Sequence, residues 1–264
     1  MTLRSSPLSS TLFDTIDWPG DASVVLVLDP CLIPNLSRAL FDWSNDVYKV
    51  DCLYDNTPWE PLRDVSPWAV WLSGPDDPFL QHFTEHEAPR ESGYLVFTPL
   101  SYPEFSRWMR QRIHIERAPE AMELVRIGHP ALAAEIIGDH LIRTHPEGAV
   151  QRMILPDRTM GQWRHVVPKT GEASLPEPAK DISLSSGLFD AFARFNLRRA
   201  NLMIWDGLDD PIRRALGGTD LPDAWPQLCR LSGDAGNNGR HDTRGRTQYI
   251  RRHCKQGQPA ERDF

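Results

Sequence analysis

Ser23–Val24–Val25–Leu26–Val27–Leu28–Asp29–Pro30 is the stretch on which the fold reading turns. Five consecutive branched apolar residues, ended by an acid and a proline, read as a strand buried on both faces. Pro34 follows at a position suited to a helix start, with Leu36, Leu40 and Trp43 at helical spacing. Outward from there the pattern repeats. Strands are predicted over 47–54, 68–72, 94–98 and 122–127, and helices over 78–87, 101–113 and 130–142. The clearest helix start is Ser101–Tyr102–Pro103–Glu104, which has the form of a capping box. Phe105, Trp108, Met109 and Ile113 form its apolar face, with Arg107, Arg110 and Arg112 largely opposite.

This alternation predicts a mixed α/β (α+β) lobe with a central β-sheet flanked by helices. Val166 to Asp181 holds Pro168, Pro176 and Pro178 with little apolar content, and marks a connection. Beyond it Leu188, Phe192, Phe195, Leu202 and Trp205 carry a helical pattern. Shorter helices are expected near 211–216 and 222–231, then a Gly/Asn loop over 232–239 and a basic helix over 243–255. The expected organisation is an N-terminal extension (1–22), an α/β lobe (23–145), a connecting segment (146–183) and a mostly helical lobe with a basic end (184–264).

The chain has 264 residues, 40% of them apolar, enough for a sizeable core. Twenty-three prolines are spread along it, implying short elements with firm ends, and nine tryptophans supply core or anchors for a partner. Cys31, Cys52, Cys229 and Cys254 form no Cys-x-x-Cys pair and read as free buried thiols. Met1–Ser10 holds one basic residue, Arg4, and no long apolar run, so neither export nor a membrane span is expected and the cytoplasm is the expected location. Net charge is −7. Residues 240–264 hold seven Lys/Arg against Asp242, Glu261 and Asp263, a local balance of +4, so residues 1–239 carry −11. An acidic body argues against nucleic acid as the main ligand.

Catalytic patterns are incomplete. His82–Phe83–Thr84–Glu85–His86 matches the His-x-x-Glu-His order of one metallopeptidase group, with both histidines on one helix side and Glu85 as base. The helix is short, between Pro78 and Pro89, and no third ligand stands out, so a zinc-dependent hydrolase is the alternative reading only. Asp234 to Gly239 begins like a calcium loop, but an oxygen ligand is missing at the third position and Gly245 stands where the bidentate Glu belongs. Asp29, Asp51 and Asp55 read as turn formers near strand ends. No catalytic residue, metal or cofactor is assigned.

Several segments, taken in order, resemble a known family. Val24–Pro30 is its opening strand with an acidic end. Leu53–Tyr54–Asp55–Asn56–Thr57–Pro58–Trp59 is similar to its Gly/Asn-Thr-Pro-aromatic segment, and Ser66–Leu72 to its Gly-Pro-x-Leu-Val strand. Gly93–Thr98 with the helix 102–113 follows, and Val125–Arg126–Ile127–Gly128–His129–Pro130 stands in place of Phe-Arg-Phe-Tyr-Asp-Pro. Asn56 and Ser66 replace glycines of the pattern and His129 replaces an aspartate. The order resembles the type VI secretion effector adaptor/chaperone family (Tap/Tec-like, domain of unknown function 4123). Leu184–Trp205 resembles that family's helical C-terminal region. The resemblance implies a non-catalytic cytoplasmic protein, encoded beside spike and effector genes. It would bind the N-terminal portion of a secreted effector one to one, as a monomer, and help mount it on the VgrG spike. The candidate partner residues are Arg194, Phe195, Arg198, Arg199 and Trp205, where arginines flank an apolar stripe, together with Arg251 and Arg252 in the basic end.

Overall fold

The computed structural model describes residues 5–8, 18–44, 49–118, 121–138, 148–168 and 186–256. The chain divides into two compact units. One comprises Met1–Asp157 with Gln162–Ala191, the other Arg158–Gly161 with Phe192–Phe264.

The first unit is built on a seven-stranded sheet. Its strands are β1 (Ser5–Pro7), β2 (Ser23–Leu28), β3 (Val50–Cys52), β4 (Trp68–Trp71), β5 (Gly93–Thr98), β8 (Arg152–Asp157) and β9 (Gln162–Val166). They lie in the order β1-β9-β8-β5-β2-β4-β3, and every pairing is antiparallel. β2 is flanked by β4 and β5, which explains its unbroken apolar run: an interior strand with both faces covered needs no polar alternation. The residue period of two sends Leu26 and Leu28 to one face and Val25 and Val27 to the other. On the first face they pack with Leu36 and Leu40 of helix α1 (Leu36–Trp43), Phe79 and Leu80 of α2 (Pro78–His82), and Phe83. On the second, Val25 pairs across to Trp71, whose ring lies 4.4 Å from Tyr102 and 5.6 Å from Phe105 of α3 (Tyr102–Arg110).

α3 also closes an edge. The outward carbonyls of edge strand β3 accept from α3 side chains: Tyr102 Oη donates to Val50 O at 2.9 Å and Arg110 Nη2 to Cys52 O at 3.3 Å. Arg110 also pairs with Asp51 at 2.6 Å. An edge so covered cannot template another strand. The capping box is present, with Ser101 N donating to Glu104 Oε2 at 3.0 Å.

Several expectations need correction. Residues 146–183 hold the β8–β9 hairpin, which extends the main sheet, and β1 of the expected N-terminal extension pairs with β9. Met153–Ile154–Leu155 is too short a run to show a period by itself, so pairing with β5 decides it. The expected strand at 122–127 is β7 (Ala121–Leu124). It pairs with an unforeseen β6 (His114–Ala118) in a separate two-stranded sheet. The helix from Pro130 is α4 (Pro130–Ala133), continued by a π turn, Ala134–Gly138; residues 139–142 lie outside those described. Arg112 is not on a solvated face. It is buried, its guanidinium 3.9 Å from the centroid of the Trp108 ring, and burial lowers its pKa to about 10, so it stays charged at neutral pH.

The second unit is helical: α5 (Ser186–Asp206, from Phe192 on), α6 (Asp210–Ala215), α7 (Leu221–Asn237) and α8 (Thr243–Gln256). Leu202, Ile204, Trp205, Ile212, Leu228, Leu231, Ile250 and Cys254 form its core. α7 runs through the expected Gly/Asn loop as far as Asn237. There Ser232 and Ala235 are buried, and Arg246 of α8 donates to Ser232 O and Oγ at 3.2 and 2.9 Å. The small Gly236 admits that arginine: a Cβ there would stand 3.2 Å from its Nη2. None of the four cysteines is in a disulfide; Cys52 and Cys254 are buried, but Cys31 is exposed and Cys229 half-buried.

Candidate functional site

The segments that carry the family likeness converge at one end of the sheet. Asp29 leaves β2 buried. Its Oδ1 accepts from Cys31 N at 3.0 Å and its Oδ2 from Arg126 Nε at 2.8 Å, while its own N–H donates to Ser92 O at 2.7 Å. Gly128 lies against this corner, where a Cβ would come within 3.3 Å of Asp29 Cα, Leu28 O and Pro67 Cβ. Tyr94 Oη donates to Ile127 O at 3.0 Å. Burial, reinforced by Asp29, raises the Tyr94 pKa, and burial followed by the nearby Cys31 and Asp29 pushes Tyr54 up to about 12. Both phenols therefore remain neutral.

The three departures from the pattern fit their places. Asn56 has φ +58°, in the left-handed region where Gly or Asn is favoured. Thr57 fixes the turn by donating from Oγ1 to Tyr54 O at 2.7 Å and accepting from Trp59 N at 3.1 Å. Ser66 is fully buried; its Oγ accepts from Tyr54 N and donates to Pro67 O, both at 2.9 Å. His129 is the N-cap of α4, its Nδ1 accepting from Ala131 N at 3.3 Å, which is the task an aspartate performs at that position. The corner is thus a set of interlocked turns. Asp29 spends its charge on Arg126 and a backbone N–H, which makes it a clamp between β2 and the 125–130 turn.

In the helical unit the proposed anchors separate. Phe195 and Trp205 are core residues, 7% and 5% exposed. Arg213 lies over the Trp205 ring at 5.0 Å and donates to Trp205 O at 3.3 Å, and Arg158 pairs with Asp206 at 2.9 Å. Arg194 and Arg199 are exposed and Arg198 is half-buried. Arg251 is exposed and donates to Gly207 O at 2.9 Å; Arg252 is exposed. Among the described residues of α5 and the second unit, Met160, Phe189, Leu197 and Met203 keep large apolar side chains exposed. Leu197 and Met203 lie off the stripe of Leu188, Phe195 and Leu202, which is the sequence signal for their exposure.

Residues 25–138 match the family model of a domain of unknown function, DUF4123. The matched DUF4123 segment runs from β2 into the π turn after α4 and includes Asp29, Asn56, Ser66, Arg126 and His129; β8, β9 and the helical unit lie outside it. No curated protein matches the chain, and no solved structure does. No helix of the described residues is long and apolar enough to cross a membrane.

Within the DUF4123 segment, His82 ends α2 and stacks on Trp43, ring centroids 4.1 Å apart; the His86 ring lies 4.7 Å from it, and His86 Nε2 is 3.7 Å from the exposed Glu85. Among the described residues no group of three or more His, Cys, Asp or Glu side chains is placed to hold a metal ion. Burial, then the neighbouring His86, lowers the His82 pKa below 6.5, against the opposing pull of Glu87 and Glu85. A base whose folded pKa is depressed binds protons more readily when unfolded. Its contribution is therefore present above pH 6.5 and lost as pH falls through the folded value. The ring resonances of His82 should titrate below 6.5 in NMR, and His82→Gln should remove part of the loss of thermal stability on acidification. A midpoint above 6.5 would contradict this packing.

Proposed function

We propose that the chain is a non-catalytic adaptor that holds a type VI secretion effector and helps mount it on the VgrG spike. The observation that carries this reading is the DUF4123 match over residues 25–138, the domain that the sequence resemblance ties to effector adaptors. It is supported by the chemistry of the sheet corner, whose polar groups are spent on holding turns, and by exposed apolar and basic side chains in the helical unit. Acting before secretion, the protein would work in the cytoplasm. The direct test is co-purification of the full chain with the effector and the spike encoded beside its gene.

The basic end is the candidate spike contact. α8 holds Arg244, Arg252 and Lys255 exposed on its surface, while Ile250 and Cys254 on its inner side belong to the core. Deleting the end would remove core, so charge reversal is the cleaner probe. Arg244→Glu/Arg252→Glu/Lys255→Glu should weaken spike association several-fold at low salt and much less at high salt, because exposed charges are screened over about 8–10 Å. Effector binding should be unchanged. Equal spike binding by wild type and variant at low salt would remove this role from α8.

A further inference from the structure

α8 has an inner side of core residues, Ile250 and Cys254, with Arg246 beside them spent on Ser232 and on His241 O. Its exposed residues are Arg244, Gln248, Arg251, Arg252, His253 and Lys255, none of them apolar. At about 100° and 1.5 Å per residue, Arg244, Gln248, Arg251 and Lys255 fall in one stripe about 16 Å long, with Arg252 beside it. Arg251 gives one N–H to Gly207 O at 2.9 Å. The side chains of Arg244, Arg252 and Lys255 make no ion pair or hydrogen bond among the described residues. The helix itself, Thr243–Gln256, holds no Asp or Glu. Asp242, just before it, accepts from Gly245 N at 2.6 Å. On α6 and α7, which pack against α8, Asp210 pairs with Arg213 at 3.6 Å, Asp234 pairs with Arg230 at 3.4 Å, and Asp223 lies against Gly218. Glu261 and Asp263 lie outside the described residues.

We propose that this face of α8 docks a short segment of the spike rich in Asp and Glu, and holds it by charge and hydrogen bonds with no apolar anchor. That the spike supplies the segment rests on the adaptor reading; the acidic class rests on the face itself. Three exposed cations with no acid on their own helix and no apolar neighbour on its outer side offer a partner only what a carboxylate array can use. A long polyanion such as duplex nucleic acid suits the molecule less well. Residues 1–239 carry −11, a field that repels the polyanion wherever it runs past α8. A short acidic segment keeps its charge within about a Debye length of the stripe, about 8–10 Å, and largely escapes that repulsion. Contacts made by exposed charges are individually weak, so the segment adds orientation and association rate to an interface that has other parts.

The test uses the full chain and two probes. The first is a fluorescently labelled peptide of about 15 residues, four of them Glu at the spacing of the α8 stripe on an Ala/Gln background, compared with its Gln counterpart. At about 25 mM salt the Glu peptide should bind the wild type about tenfold tighter than the Gln peptide, and most of that advantage should vanish by about 200 mM. Arg244→Gln/Arg252→Gln/Lys255→Gln should lose about tenfold, about 1.4 kcal/mol over three exposed pairs. Arg38→Gln/Arg63→Gln/Arg107→Gln removes the same charge from exposed positions of the first unit and should lose about twofold at most. Arg244→Glu/Arg252→Glu/Lys255→Glu should bind the Lys counterpart of the peptide, a gain that misfolding cannot produce. Equal affinity for the Glu and Gln peptides, equal loss in the two Gln variants, tighter binding of a short DNA duplex of matched charge, or low-salt self-association dissolved by the α8 variants would each overturn the inference. The second probe is the purified spike. If it binds the wild type and both α8 variants equally at low salt, the α8 face is excluded while the adaptor reading stands. If it fails to bind the wild type, the adaptor reading fails and the peptide decides whether α8 takes acidic segments.

Discussion

Trp163→Ala should lower unfolding free energy by about 3–5 kcal/mol, the cost of emptying a large aromatic site in a packed core. Trp163 is 1% exposed on β9, in one cluster with Leu26, Leu95, Phe97 and Ile154, and its ring lies 6.2 Å from Phe83. Its indole Nε1 is buried without a hydrogen-bond partner among the described residues, so the side chain contributes through apolar contact. Trp163→Phe, which keeps a ring and drops that N–H, should therefore cost markedly less than the alanine variant. Urea denaturation followed by far-UV circular dichroism measures both. A loss under about 1 kcal/mol for Trp163→Ala, the range of surface substitutions, would mean that β8–β9 is no part of the core.

Gly93→Ala should be comparably damaging despite adding one methyl group. Gly93 opens β5 opposite Leu28, and a Cβ on it would stand 2.4 Å from the carbonyl oxygen of Val27. That oxygen is backbone in the interior strand β2, so relief requires β2 and β5 to separate. Overpacking of this kind costs about 1–3 kcal/mol, and a rigid backbone neighbour puts this case at the upper end or beyond. Gly74→Ala is the control, because nothing lies within 4 Å of the added atom. The two melting temperatures should differ by many degrees. Equal melting would show that β2 and β5 do not approach as closely as the structure has them.

What could be read in advance followed the strength of local signals. β2 was legible because five apolar residues in a row need burial on both faces. α3 was legible because Ser101 and Glu104 satisfy its first turn locally. α8 was legible from its boundaries. The β8–β9 hairpin was not: Met153–Leu155 carries three apolar residues, and the prolines after Val166 drew the whole region into an expected connection. Only pairing with β5, more than fifty residues away, makes it a strand. The sheet corner was half legible. Its segments appear in the right order, but nothing local shows that Arg126 reaches Asp29, or that His129 caps a helix where an aspartate is usual. On α5 the apolar residues are visible in the sequence. Phe195 and Trp205, which read as core and also as candidate anchors, fill the core, whereas Phe189, which reads as core, is 48% exposed, and Leu197 and Met203 face out.

The central proposal is that this chain binds a secreted effector as its client. It is tested most directly by mixing the purified full chain with the effector encoded beside its gene and measuring mass by size-exclusion chromatography with light scattering. The account predicts a single species with the summed mass of one chain and one effector. Separate elution of the two proteins at micromolar concentration would contradict it.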